Sequence, residues 1–160
     1  MSVTASGDKG WIPLSSLMDA ASDIGFVDFA STQIPLVEKY QGAAYKSLIV
    51  CCLELATDGL AHIGPGNRVH VGNGFLPVNE SCVYTANLND LEPIKTISFS
   101  RLLAGEVKAD ELAGRVVLIG WDSSRTPTLP TPDGPVPIHR FFVQCLADGH
   151  RTLKLNAGTK

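Results

Sequence analysis

The stretch VVLIGWDSSRTPTLPTPDGPVPIHRFF, Val116 to Phe142, concentrates polar groups at a place where chemistry or binding is expected. Asp122 follows an apolar run by two residues, Asp133 precedes Gly134, and His139 opens an apolar helical pattern after a Pro-rich loop. Open α/β sheets put their ligands at the C-terminal ends of strands, so Asp122, Asp133 and His139 are candidate ligand contacts. Each also has a plainer role. His139 would pin the loop by bonding its backbone, Asp133-Gly134 suits a turn, and Asp122 would cap the loop. A nucleophilic reading pairs Cys145 or Ser98 with His139 as base. It needs an approach between the two groups that the spacing does not supply. The four cysteines, Cys51, Cys52, Cys82 and Cys145, form no CxxC pair. Adjacent cysteines on a helix point about 100° apart, so buried apolar roles are expected rather than a zinc site. The glycine-rich GPGNRVHVGNG lacks the Lys-Ser/Thr of a phosphate loop, and GWDSS lacks the second glycine of a nucleophile elbow. No catalytic constellation and no cofactor are expected, and Trp121 reads as a packing or rim aromatic.

The elements that must position these groups follow from periodicity. Leu14, Leu17, Met18 and Ala21 have helical spacing after Pro13, ending at Gly25, and FVDFA then reads as extended. AAYKSLIVCCLELATDGL reads as a second helix that buries Ala44, Leu48, Cys51, Cys52 and Leu55 and stops at Gly59. RVHVGNGFLPV reads as a hairpin reversed at Gly72-Asn73-Gly74, with SCVYTAN as the next strand of a meander. A short helix with Leu102 and Leu103 inward and a helical turn near Leu112 lead to RVVLIG, whose unbroken apolarity predicts a strand buried on both faces. Five prolines between Pro127 and Pro137 predict a stiff loop rather than helix or central strand. The last helix starts near Pro137, buries Ile138, Phe141, Phe142, Cys145 and Leu146, and stops near Gly149. The fold class expected is α/β, a single domain with a mixed sheet, a hairpin or meander, and flanking helices.

Composition bounds the rest. The chain has 160 residues, 44% hydrophobic and 18% charged, with net charge −3, which suits one globular domain and argues against disorder. No basic stripe is present, so nucleic acid is not an expected partner. No apolar run reaches the roughly 18 residues of a membrane span, and no basic segment followed by an apolar one marks a secretory signal. As given, the chain reads as soluble. Residues 1–10 are expected to be disordered, 11–153 to form the domain, and 154–160 to be a flexible tail.

The order ISFSRLLAGE, LAGRVVLIG, a Thr-Pro loop, then His139 heading a helix that ends LADG resembles the C-terminal half of a type 2 CHASE domain, a cyclase/histidine-kinase-associated sensory extracellular domain. The matching positions include Ile97, Ser98, Phe99, Leu102, Leu103, Gly105, Leu112, Gly114, Val116 to Gly120, Thr131, Pro132, Val136, His139, Leu146 and Gly149. Upstream, IGFVDF and YKSLIV also resemble the family's first strand and second helix. The chain departs from the family pattern after Asp28, where a glycine and an arginine are lacking, and has Thr126 and Pro135 where relatives carry Asp and Gly. The resemblance implies a non-catalytic signal-input module on the periplasmic or extracellular face of a receptor. It would take a small-molecule or protein ligand, could form a homodimer, and would act on a kinase or cyclase outside this chain. It adds Thr131 to Asp122, Asp133 and His139 as candidate ligand contacts.

Overall fold

The computed structural model describes residues 15–28, 31–40, 42–89, 94–121, 123–131 and 134–158. The α/β class expected from sequence is what forms: helices pack against several small antiparallel sheets. In chain order the elements are α1 (Ser15–Ala20), β1 (Gln33–Pro35), β2 (Val37–Tyr40), β3 (Ala43–Lys46), α2 (Leu48–Thr57), β4 (Ala61–Gly64), β5 (Arg68–Val71), β6 (Gly74–Pro77), β7 (Val83–Thr85), α3 (Phe99–Leu103), a 3₁₀ turn (Ala109–Glu111), β8 (Thr128–Thr131), β9 (Gly134–Pro137) and α4 (Ile138–Leu155). The strands pair as β1·β7, β2·β3, β4·β5·β6 and β8·β9. Parallel pairing is confined, among the described residues, to a bridge between Phe26 and Ser47.

The core lies where α2 and α4 meet each other and the β4–β6 sheet. Ile49, Val50 and Leu53 of α2, Phe141, Cys145 and Leu153 of α4, and Val69, Val71 and Leu76 of the sheet form one buried cluster. Ser47 caps α2 by accepting from the Val50 N–H at 3.3 Å, which satisfies one of the donors a helix start leaves open. The segment AAYK, expected as the first turn of this helix, is instead β3, because antiparallel pairing with β2 overrides its helical preference. Asp58, at φ 51°, takes the left-handed position that ends α2, and Gly59 follows it.

The hairpin at Gly72-Asn73 forms as expected, with Val71 opposite Gly74. Its third strand differs. SCVYTAN supplies β7, which leaves the meander to pair with β1, and β4 takes the outer place beside β5. On one face of this sheet His62 and His70 stack at 5.0 Å and the Arg68 guanidinium sits 4.3 Å over the Phe75 ring.

Several expected burials do not occur. No residue of α1 or α3 is buried, so Leu17 and Met18 do not face a core and Leu103 does not point inward. Ile138, at the very start of α4, is 36% exposed. The end of α4 also moves: the helix runs through Gly149 to Leu155, so it takes in the first two residues of the expected tail. Gly149 packs closely there, since a Cβ would sit 3.3 Å from the Leu53 side chain of α2.

The largest departure is RVVLIG. Val116 to Gly120 form no strand, and Val116, Val117, Ile119 and Trp121 are 43%, 53%, 75% and 81% exposed. Continuous apolarity implies two covering layers, and among the described residues neither is supplied. The proline segment, expected as loop, forms the β8·β9 hairpin. Its register explains how prolines fit: Pro130 faces Pro135 and Thr128 faces Pro137, alternating with the Leu129·Val136 and Thr131·Gly134 pairs. The prolines thus occupy one set of alternate positions and leave the ladder donors to the other set.

Candidate functional site

A shallow cleft of about 200 Å³ opens at the head of α4. Ile138, His139 and Phe142 come from the first five residues of α4, Leu118 and Ile119 from the bare apolar run, Val27 from the chain after Gly25, and Leu48 from the start of α2. Backbone bonding holds the back wall in place. Phe26 donates to Lys46 at 3.1 Å and accepts from Leu48 at 2.7 Å, so Val27 is held beside the start of α2. Gly25 permits that approach, because a Cβ there would lie 2.4 Å from the Leu48 Cα. At the other end Ile138 donates to the Pro127 carbonyl at 2.9 Å, which ties the head of α4 to the base of the proline hairpin.

His139 is where the sequence placed it, at the mouth of α4 beside the end of the apolar run. Its ring lies against Gly120, whose added Cβ would meet ring carbons at 2.9 Å. It does not pin the loop by a hydrogen bond: among the described residues its imidazole has no such partner, and it is half-buried in the cleft wall. Thr131 is not part of the cleft. Its hydroxyl donates to the Gly134 carbonyl at 2.6 Å and closes the hairpin. Thr126, which also follows the apolar run, donates to the Trp121 carbonyl at 2.9 Å. Asp122 and Asp133 lie outside the described residues. Of the four candidate contacts, the described cleft therefore holds His139. Val27 and Leu48 were missed, since apolar residues in ordinary strand and helix patterns give no chemical signal. The wall offers a small, mainly apolar surface and one group able to donate and accept a hydrogen bond.

The nucleophile arrangement is not assembled. Cys145 is 1% exposed, and burial pushes its thiol up to about 12, with the charge of Asp148 adding to this. A thiol so held is not a thiolate near neutral pH. It also sits six residues beyond His139, on another face of the same helix. Ser98 is exposed and shares its hydroxyl with Ser100 at 2.6 Å. Cys51 is likewise raised to about 12 by burial and by Asp23.

Two polar clusters were not legible from sequence. The Lys46 ammonium lies 2.9 Å from Asp23 and 2.7 Å from Glu54, and the other Glu54 oxygen accepts the Ala61 N–H at 2.7 Å. Asp23, Cys51 and Glu54 converge closely enough to suggest a metal site, but the Lys46 ammonium already pairs with both carboxylates. Their role is to join β3, α2 and β4. The second cluster centres on Asp148, buried in α4. It accepts from the Tyr84 hydroxyl, from the Asn87 N–H at 2.9 Å and from Arg151 at 2.8 Å, and Thr152 meets the same hydroxyl at 3.0 Å. Burial, then the bond to Asp148, raises the Tyr84 phenol above its ordinary value.

Comparison of the chain finds no matching protein-family model, no matching curated protein and no matching solved structure. No helix among the described residues is long and apolar enough to cross a membrane.

Proposed function

We propose that this domain is a non-catalytic signal-input module in which a small, mainly apolar ligand enters the cleft, hydrogen-bonds His139 and displaces the head of α4. The observation that carries the reading is the composition of the cleft wall. Three of its residues, Ile138, His139 and Phe142, belong to the first five residues of the longest helix, and Phe142 is also a core residue. A molecule seated there presses on α4 directly, and α4 is tied along its length to α2, β6 and β7. The resemblance to type 2 CHASE domains supports the same role and proposes the setting: the outer face of a membrane receptor, with a histidine kinase or cyclase as the output beyond this chain. The signal requires that the ligand bind one position of α4 better than another, by a margin that sets the size of the response.

A thermal-shift screen with small aromatic and aliphatic carboxylates and amides tests this. A binder of the cleft raises the melting temperature by a few degrees at concentrations well above Kd. His139→Ala then abolishes that rise while leaving the unliganded melting temperature within about 3 °C of the parent, because the ring has no hydrogen bond to lose. Equal rises in parent and variant, or no binder at all, would remove the ligand-cleft reading.

A further inference from the structure

One face of the β4–β6 sheet gathers donor side chains and no acid. Val69, Val71 and Leu76 turn to the core, so the alternate residues share the opposite face in two cross-strand rows, His62·His70·Phe75 and Gly64·Arg68·Pro77. In a chain of net charge −3, no acidic residue lies between Asp58 and Glu80. Among the described residues the side chains of His62, Arg68 and His70 make ring contacts but no hydrogen bond or ion pair. Arg68 leans out of its own row to place its guanidinium 4.3 Å over the Phe75 ring. His70 leans the other way onto Gly64, where an added Cβ would lie 2.5 Å from its Cδ2 and 2.6 Å from its Nε2. The His70 ring meets the same Phe75 ring at 5.7 Å and stacks on exposed His62 at 5.0 Å, so guanidinium and imidazoles converge around one aromatic.

We propose that this face binds a phosphoryl dianion, as free phosphate or as the phosphate of a monoester, between the Arg68 fork and the His70 imidazole, with His62 at its flank. Cation–π attraction holds the guanidinium over Phe75 while its N–H donors stay available to a ligand. A phosphoryl group has three oxygens to share, two for the guanidinium fork and a third for an imidazole N–H. A carboxylate fills the fork with both of its oxygens and leaves the imidazoles unused. Gly64 is a positioning residue here, because its missing side chain lets the His70 ring lie down beside Arg68. None of these residues lines the cleft at the head of α4, and the site does not depend on what that cleft takes.

Amide NMR titration of the full chain with inorganic phosphate, phenyl phosphate and acetate, at constant pH and ionic strength, tests the proposal. Phosphate should give saturable shifts centred on residues 62–76 with Kd on the order of 1 mM, and acetate should bind at least about tenfold more weakly. Phenyl phosphate binding more tightly at those same amides would identify a monoester whose ring stacks against His62, and phosphate binding more tightly would identify the free ion. Arg68→Gln should weaken phosphate by about tenfold, with Arg68→Lys restoring only part of the loss because an ammonium lacks the planar fork. Gly64→Ala removes no donor and meets only the rotatable end of His70, so it should keep the fold yet weaken phosphate several-fold. Thermal unfolding of each variant checks that the sheet is retained. Absence of saturable shifts up to roughly 50 mM phosphate would overturn the site, since binding so weak is worth under about 2 kcal/mol. Equal response to acetate, or affinity unchanged in both Arg68→Gln and Gly64→Ala, would overturn it as well.

Discussion

At the scale of single residues, Asp148 holds more of this fold than any group read from the sequence. It is 1% exposed and serves a tyrosine from β7, the backbone beyond β7 and an arginine one turn along its own helix. Such a carboxylate is worth keeping only because every oxygen is used. Asp148→Ala leaves those donors without their acceptor and is expected to cost about 3 kcal/mol. Urea unfolding measures it, and a loss under about 1 kcal/mol would mean the network is not a tie between α4 and β7. Nothing in QCLADGH marks this aspartate as buried, since its partners come from residues 84 and 87, far along the chain. His139 was legible for the opposite reason. Its place after Pro137 and before Phe141 and Phe142 follows from local helix-start chemistry, whereas its contact with Gly120 does not.

Among elements, legibility divides between those fixed by neighbours in sequence and those fixed by partners. The β5·β6 hairpin was readable because Gly72, at φ 57°, supplies a backbone that other residues adopt at a cost. The start of α4 was readable from Pro137, but its end was not, because Gly149 serves close packing on Leu53 rather than termination. The run after Arg115 was misread because apolarity alone cannot say whether covering layers exist. The proline hairpin was misread because the alternate register that accommodates its prolines depends on pairing. One contact between elements gives a sharp prediction. A Cβ on Gly74 of β6 would lie 2.2 Å from the Leu153 carbonyl oxygen of α4, a backbone atom that cannot rotate away. Gly74→Ala is therefore expected to destabilise by about 1–3 kcal/mol by pushing α4 off the sheet. A variant with an unchanged unfolding midpoint would contradict that packing.

For the whole molecule, the groups that burial protects set its response to pH. Tyr84 and the thiols of Cys51, Cys52 and Cys145 are all raised above their ordinary values, chiefly by burial, with Cys51 and Cys145 near 12. The folded chain keeps these protons after the unfolded chain has released its own. The stability these groups contribute is then full below about pH 8 and falls from about pH 9 through about pH 12, where unfolding is the proton-releasing step. Urea midpoints recorded across that range should decline steadily, and a flat profile would contradict the burial of these groups. The α/β class and the position of His139 at the head of the last helix were thus open to sequence reasoning, while the apolar lining of the cleft, the exposure of the run after Arg115 and the buried network were not, because each is made by contacts across the chain.

The central claim is that a molecule in the cleft acts on α4. Hydrogen exchange along the chain, with and without a cleft ligand found by thermal shift, tests it most directly. The account predicts altered protection of amides from Phe141 through Leu153, spreading from the cleft along α4 to the Asp148 network. Changes confined to Val27, Leu48 and the apolar run, with α4 unaffected, would show binding without a signal and contradict the account.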